Sequence, residues 1–309
     1  MEQRNLGLQH VPVIGIGCNN FGTRLDAAQS AAVVAAGIET GAVFFDTADV
    51  YGAGASEEFL GAALGTQRDR VFIATKFGIP FGDQTGGAHP DYVRFACEAS
   101  LRRLGTDVID LYQLHAPDHA VPLAETLGAM DELVTAGLVR QIGCSNFTAH
   151  ELRDADHLAK GAHFVSVQNQ YSLLWREPEV SLFAALEETG ACLLPYYPLA
   201  NGLLTGKYHR CAPIPEGTRL ALMGEERAAH WLSEGLFETV EAIRSISEET
   251  GYSMLTLAFS WLLSHEPVTC VIAGASSPEQ VRTNAGAVQK LEPALLERLN
   301  ELTLPEALP

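Results

Sequence analysis

The chain has 309 residues, 47% of them hydrophobic and 19% charged, with 20 Lys and Arg against 38 Asp and Glu for a net charge of −18. This composition supports a sizeable apolar core and excludes an intrinsically disordered chain. The acidity argues against a nucleic-acid surface, which needs a basic stripe, and against docking on an anionic membrane leaflet. No apolar run reaches the roughly 18 residues of a membrane span; the longest candidate, 255–263, carries Thr, Ser and Trp. Residues 1–9 hold no apolar leader core, so secretion is not expected. The six cysteines (Cys18, Cys97, Cys144, Cys192, Cys211 and Cys270) show no Cys-x-x-Cys spacing and read as reduced thiols of a cytoplasmic protein.

Length alone leaves one or two domains open. In chain order, near-continuous apolar runs bounded by turn residues fall at 13–17, 43–47, 71–76, 109–115, 139–145, 165–169, 192–197 and 268–274. Unbroken apolar runs of this length are expected of parallel strands buried on both faces. Helical stretches with readable ends lie between them. Asp26 opens one that Gly41 stops, and Pro90-Asp91 opens another that ends before Gly105. Thr148-x-x-Glu151 is a capping box for a helix ending near Gly161; Pro178 starts a helix that Gly190 ends, and Ser233 starts one running to Gly251. Eight strand-helix alternations predict an α/β fold, a single (β/α)8 TIM barrel spanning 1–309. A short hairpin is expected around 6–8, ahead of the first barrel strand, and a long insertion, including the Pro-rich stretch 212–217, before the eighth.

Gly15-x-Gly17 after a strand, with Asp46 ending the next, has the outline of a Rossmann dinucleotide site. The third glycine of that pattern is displaced to Gly22, and no helix begins until after Arg24. Eight βα units also exceed one Rossmann domain, so the pattern is rejected as the fold.

In a barrel, chemistry sits at the C-terminal ends of the strands. Asp46 stands at the end of the second run and Tyr51 just beyond it, Lys76 ends the third and His115 ends the fourth. Each residue alone reads as an ordinary rim or core residue, but the combination is chemically coherent. A buried Lys76 needs a carboxylate partner, which Asp46 on the adjacent strand supplies. A nearby ammonium is expected to lower the pKa of Tyr51 and make it a usable proton donor, with His115 bonding a carbonyl oxygen from the other side. Such a set polarises and protonates a carbonyl while another group delivers hydride.

These residues sit in longer motifs. Phe44-Phe45-Asp46-Thr47-Ala48-Asp49-Val50-Tyr51-Gly52, Leu101-Arg102-Arg103-Leu104-Gly105-Thr106-Asp107, Ile142-Gly143-Cys144-Ser145-Asn146-Phe147 and Gly202-Leu203-Leu204-Thr205-Gly206-Lys207 occur in order along the chain. The sequence resembles the aldo-keto reductases over essentially its whole length. The nearest branch is that of bacterial aldo/keto reductases and potassium-channel β-subunit-like members. The resemblance implies a metal-free (β/α)8 barrel that reduces aldehydes and ketones with NADPH. It carries the family's catalytic tetrad onto Asp46, Tyr51, Lys76 and His115, with the tyrosine as acid-base group.

The same resemblance places Ser145, Asn146 and Gln168 on the nicotinamide carboxamide and Tyr196 against the nicotinamide ring. It places Tyr197, Pro198, Leu199, Ala200, Asn201 and Lys207 along the diphosphate, and Gly274, Ser276, Gln280 and Asn284 at the adenosine. Where many members carry Lys or Arg for the 2′-phosphate, this chain has Gly274 and Ser276, and Arg219 is the expected replacement. NADPH (NADP+) is therefore the expected cofactor and NADH the alternative.

Asn20, Phe21 and Phe77 are the expected substrate-pocket residues, with Phe81, Trp175 and the C-terminal tail as further candidates; Cys18-Asn19-Asn20-Phe21 replaces the family's frequent Thr-Trp. The glycine-rich stretch 77–89 reads as a mobile lid. The expected partner is a small-molecule carbonyl compound, with no nucleic acid, membrane or metal. Two other readings stand beside carbonyl reduction: an NAD(P)-dependent sugar or alcohol dehydrogenase, and a nucleotide-binding, redox-sensing regulatory subunit.

Overall fold

The computed structural model describes residues 1–210 and 212–303, so Cys211 and the tail beyond 303 lie outside the described residues. The chain begins with an antiparallel hairpin of β1 (Gln3–Leu6) and β2 (Gln9–Pro12). Its turn passes through Gly7 at φ +54, where a Cβ would lie 1.9 Å from Gln141 Oε1. Leu6 and Val11 are fully buried with Phe44, Phe72, Leu111, Leu194 and Cys270 in an inner apolar cluster. Arg4 fastens the hairpin by donating to the carbonyls of Val268 and Leu263, each at 2.7 Å. The hairpin thus plugs the N-terminal floor of the sheet behind it.

That sheet contains β3 (Ile14–Gly17), β4 (Phe44–Asp46), β5 (Phe72–Phe77), β6 (Ile109–Leu114), β7 (Val139–Ser145), β8 (Phe164–Gln168), β9 (Cys192–Leu193) and β10 (Val271–Gly274). The eight strands are parallel and neighbours in chain order, with β10 returning beside β3. A Leu193–Val268 bridge and the bonds from Leu193 N to Pro267 O, Thr269 N to Leu193 O and Ile272 N to Pro195 O join the two edges. The expected (β/α)8 barrel is therefore present. Its last two strands, Cys192–Leu193 and Val271–Gly274, are shorter than the apolar runs predict; in the first, Pro195 has no N–H to give the ladder. Gly15, from the Rossmann-like pattern, serves the barrel interior: a Cβ there would meet Phe44 at 2.8 Å and Cys270 at 3.0 Å.

The helices return the chain outside the sheet. They are α1 (Ala27–Thr40), α2 (Ala55–Leu64), α3 (Pro90–Leu104), α4 (Leu123–Thr135), α5 (Ala149–Leu158), α6 (Glu177–Val180), α7 (Leu182–Thr189), α8 (Arg219–Leu222), α9 (Glu225–Trp231), α10 (Glu234–Thr250), α11 (Met254–Leu263), α12 (Pro278–Ala285) and α13 (Pro293–Leu302). Capping boxes at Asp26/Gln29 and Thr148/Glu151 start α1 and α5, while left-handed Gly41, Gly105 and Gly251 stop α1, α3 and α10. Two expectations are corrected. The helix after Thr148 ends at Leu158, with Ala159 already extended. The predicted 178–190 helix is two pieces, because Ser181 at φ −142 breaks the helical path between α6 and α7. The insertion between β9 and β10 holds the short helices α8 and α9 ahead of α10 and α11.

Helices α2 and α3 pack closely at Gly61, where a Cβ would stand 2.3 Å from the Leu104 carbonyl oxygen and 2.9 Å from its Cα. Backbone cannot move aside as a flexible side chain can. Gly61→Ala is expected to destabilise the fold by about 1–3 kcal/mol, read as a lower midpoint in denaturant-induced unfolding.

Candidate active site at the C-terminal mouth

Lys76 ends near the top of β5 and is fully buried. Its Nζ donates to Asp46 Oδ2 at 2.7 Å, to the Thr47 carbonyl at 2.9 Å and to Tyr51 Oη at 3.5 Å. Asp46, at the end of β4, also accepts from Gln168 Nε2 at 2.7 Å and Gln113 Nε2 at 3.4 Å. The turn that follows bonds back to β5, with Thr47 N donating to Ala74 O and Asp49 N to Lys76 O. It then enters a short 3-10 segment, Tyr51–Gly54, with left-handed Gly52, Ala53 and Gly54. This tight path turns Tyr51 back over Lys76, whose Nζ lies 5.1 Å from the ring centroid. The His115 ring meets the Tyr51 ring edge-on at 5.8 Å. The structure brings all four sequence-predicted catalytic residues together.

Their electrostatics refine the expectation. Burial is the largest influence on Lys76 and lowers its pKa, but Asp46 and Tyr51 together outweigh it and the net shift is upward. Burial pushes Tyr51 above its usual value, and Lys76 only partly offsets this. The expected lowering of Tyr51 is thus corrected: the ammonium is present but its stronger contacts go to Asp46 and Thr47. Tyr51 is a phenol held protonated. His115 is pulled down to about 3 by burial and then by Lys76, so it is a neutral imidazole throughout the neutral range.

A cleft of about 990 Å³ extends from this cluster across the mouth. At one end Ser145 Oγ donates to Gln168 O at 2.7 Å, while Asn146 Nδ2 donates to His115 O at 2.8 Å. Tyr196 Oη donates to Asn146 Oδ1 at 2.8 Å, which fixes the tyrosine as a wall. The cleft is also lined by Tyr197, Pro198, Leu199, Asn201 and Lys207, and by Gly274, Ser276, Gln280 and Asn284. Arg219 stacks on the Tyr197 ring at 4.6 Å and donates to its hydroxyl at 2.8 Å. Asn20 also lines the cleft and ties its loop to Ala275 O at 3.2 Å.

Six predicted residues do not line this space: Lys76, Phe21, Phe77, Phe81, Trp175 and Ala200. Phe21 and Phe77 are fully buried in the core, Phe77 stacked on Tyr112 at 4.7 Å at the end of β5, where alternation turns it to the face opposite Lys76. Ala200 has a left-handed backbone and its methyl is buried behind the cleft wall. Trp175 borders a smaller pocket of about 210 Å³ that shares Asn146 and Tyr196 with the main cleft. Sequence reasoning missed Arg24, which lines the cleft and donates to Gly217 O at 2.8 Å, joining segments 193 residues apart. No local signal marks that contact. It also missed a backbone signature: the non-glycine residues with positive φ among the described residues, Ala53, Asn146, Tyr197, Ala200 and Asn201, all lie around this mouth. Such strain clusters at functional sites.

Residues 13–303 match the sequence family described as the Aldo/keto reductase family. The chain belongs to that family. It is 35% identical to human aflatoxin B1 aldehyde reductase member 4, covering 94% of this chain and 93% of the relative. It is 30% identical to the NADP(+) aldo-keto reductase yakc of Schizosaccharomyces pombe, covering 96% and 90%, and 30% identical to a probable voltage-gated potassium channel subunit beta of Arabidopsis thaliana, covering 98% and 96%. A solved aldo-keto reductase of Bacillus halodurans in its holo form superposes with a TM-score of 0.82 at 32% identity, covering 98% of this chain and 96% of that one. This aldo-keto reductase is an oxidoreductase of a family that works with NADP(H). No helix among its described residues is long and apolar enough to cross a membrane.

The Lys76–Asp46 pair makes this site costly to edit. Lys76→Met strands the buried Asp46 carboxylate, and the loss expected in equilibrium unfolding of the nucleotide-free protein is about 3–5 kcal/mol.

Proposed function

We propose that this aldo-keto reductase reduces an aldehyde or ketone, sugars included, to the alcohol with NADPH. The observation that carries the reading is the convergence of a protonated Tyr51, the buried Lys76–Asp46 pair and neutral His115 at one end of a dinucleotide-sized cleft. The residues present fit a dinucleotide. Two buried polar atoms beside the cleft, His115 Nδ1 and Asn201 Oδ1, have no partner among the described residues. Cleft-lining Arg24, Lys207 and Arg219 outnumber its acids Asp46 and Glu216 in a chain of net charge −18, which favours an anion there.

In this reading Ser145, Asn146 and Gln168 hold the carboxamide. The Gln168 amine is already committed to Asp46, which leaves its carbonyl oxygen for the carboxamide N–H. Tyr196, braced by Asn146, supports the nicotinamide ring. Lys207 and the segment 197–201 face the diphosphate, and Ser276, Gln280 and Asn284 hold the adenosine. NADPH supplies the hydride when bound. His115 donates to the substrate carbonyl oxygen and orients it towards Tyr51. Tyr51 gives its proton to that oxygen as negative charge develops there, and Lys76 stabilises the phenolate left behind. Asp46 and the Thr47 carbonyl keep the ammonium in place through the cycle.

Two measurements test this. Tyr51→Phe is expected to lower kcat for aldehyde reduction by about 10²–10⁴-fold, while NADPH affinity in a fluorescence titration stays within about threefold of wild type; unchanged turnover would falsify the mechanism. At the far end Gly274, Ser276, Gln280, Thr283 and Asn284 are all uncharged, so selection for the 2′-phosphate falls to Arg219. Arg219→Ala is expected to weaken NADPH binding by about tenfold and NADH binding far less, since a charge-assisted bond contributes about 1.5–3 kcal/mol. Equal weakening of both would assign the arginine to the shared part of the nucleotide.

A further inference from the structure

Asp49 stands two residues before Tyr51 and is 1% exposed. Its own amide holds the Lys76 carbonyl at 3.0 Å, so the turn straddles the lysine with Asp46 on one arm and Asp49 on the other. The groups facing Asp49 are Glu57 from α2, Arg103 and Tyr92 from α3, Lys76 from β5 and Tyr112 from β6. Glu57 is fully buried and already satisfied: Arg103 Nε donates to it at 2.7 Å and Thr75 Oγ1 at 2.5 Å. Asp46 is satisfied by Lys76 and Gln168. Among the described residues, no side-chain donor reaches either oxygen of Asp49.

Around Lys76, then, three buried carboxylates share two cations. Asp46 takes Lys76, Glu57 takes Arg103, and one negative charge is left without a counterion. Water is excluded, so the surplus is relieved most cheaply by a proton, and it settles on the carboxylate with the fewest donors.

We propose that Asp49 is a positioning residue for carbonyl reduction: it acts through Lys76 on Tyr51, carrying a proton when the site is primed to donate and losing it when the site is not. The inference rests on the carbonyl-reductase reading. With Asp49 neutral, Asp46 alone opposes the Lys76 charge, and the ammonium stabilises the phenolate that forms on Tyr51. With Asp49 ionised, a second negative charge faces the same ammonium, and Tyr51 holds its proton harder. Burial, followed by the charge of Glu57, moves Asp49 up to about 7, against the pull of the Val50 amide, Arg103 and Lys76. The neutral, primed form is therefore favoured below that value, and reduction slows as pH rises through it.

The test follows both the proton and the rate, in wild type, Asp49→Asn and Glu57→Gln, each loaded with NADP+ for spectroscopy and assayed with NADPH. Infrared difference spectra between about pH 5 and about pH 9 are expected to show a protonated-carboxyl band that disappears near neutrality in wild type and is absent from Asp49→Asn. Over the same range wild-type kcat for reduction falls by several-fold to about tenfold, whereas Asp49→Asn, a permanent mimic of the neutral acid, keeps the low-pH rate throughout. Glu57→Gln removes the like charge and shifts the step to lower pH, which decides the matter even where Asp49→Asn folds poorly. A carboxyl band that survives in Asp49→Asn, a rate step unmoved by both substitutions, or a step moved upward by Glu57→Gln overturns the proposal. Absence of any carbonyl turnover refutes the reductase reading instead, and the infrared titration still decides where the proton sits.

Discussion

An ammonium group with no access to water governs the architecture of this mouth. Lys76 is fully buried, and an unpaired charge there would cost several kcal/mol. The fold answers with a carboxylate from the next strand, a carbonyl from the following turn and a phenol folded back from beyond it. Each answer constrains the chain. Asp46 must end β4 in register with β5, and the turn must pass through left-handed residues to bring Tyr51 back. These short contacts set the charge balance around Lys76, while Arg24, Lys207 and Arg219 line the cleft beyond it.

Much of the site was legible because its chemistry is written in residue types that are hard to bury. Asp46, Tyr51, Lys76 and His115 stand at the ends of successive apolar runs, and a barrel brings such ends together whatever the loops do. The strand count came through for the same reason: parallel strands covered on both faces cannot hide their apolar runs. Seven of those eight runs lie where ladders form over most of their length, and the exception, 192–197, was cut short by a proline.

What was not legible depends on where loops finish in space. Phe21 and Phe77 look like pocket aromatics in sequence, yet a ring beside a strand end has two choices, and the core wins them with a gain of apolar burial. Arg24 reaches Gly217 only after the insertion has folded across the mouth, so nothing near either residue announces it. The direction of the Tyr51 shift was also beyond pattern reading. It turns on whether desolvation exceeds a cation's pull at 3.5 Å, a balance of magnitudes that spacing along the chain does not contain.

Among the described residues, the hairpin that plugs the floor closes the barrel at its N-terminal end. Leu6 and Val11 complete the inner apolar cluster, and Arg4 pins them to the far side of the ring. In the proposed reaction the nucleotide and the carbonyl compound would share the mouth that Tyr51, His115 and Tyr196 border, since Leu6 and Val11 fill the floor behind it. A strand pair far from the proposed chemistry thereby leaves both reactants the same side of the barrel to enter and leave by.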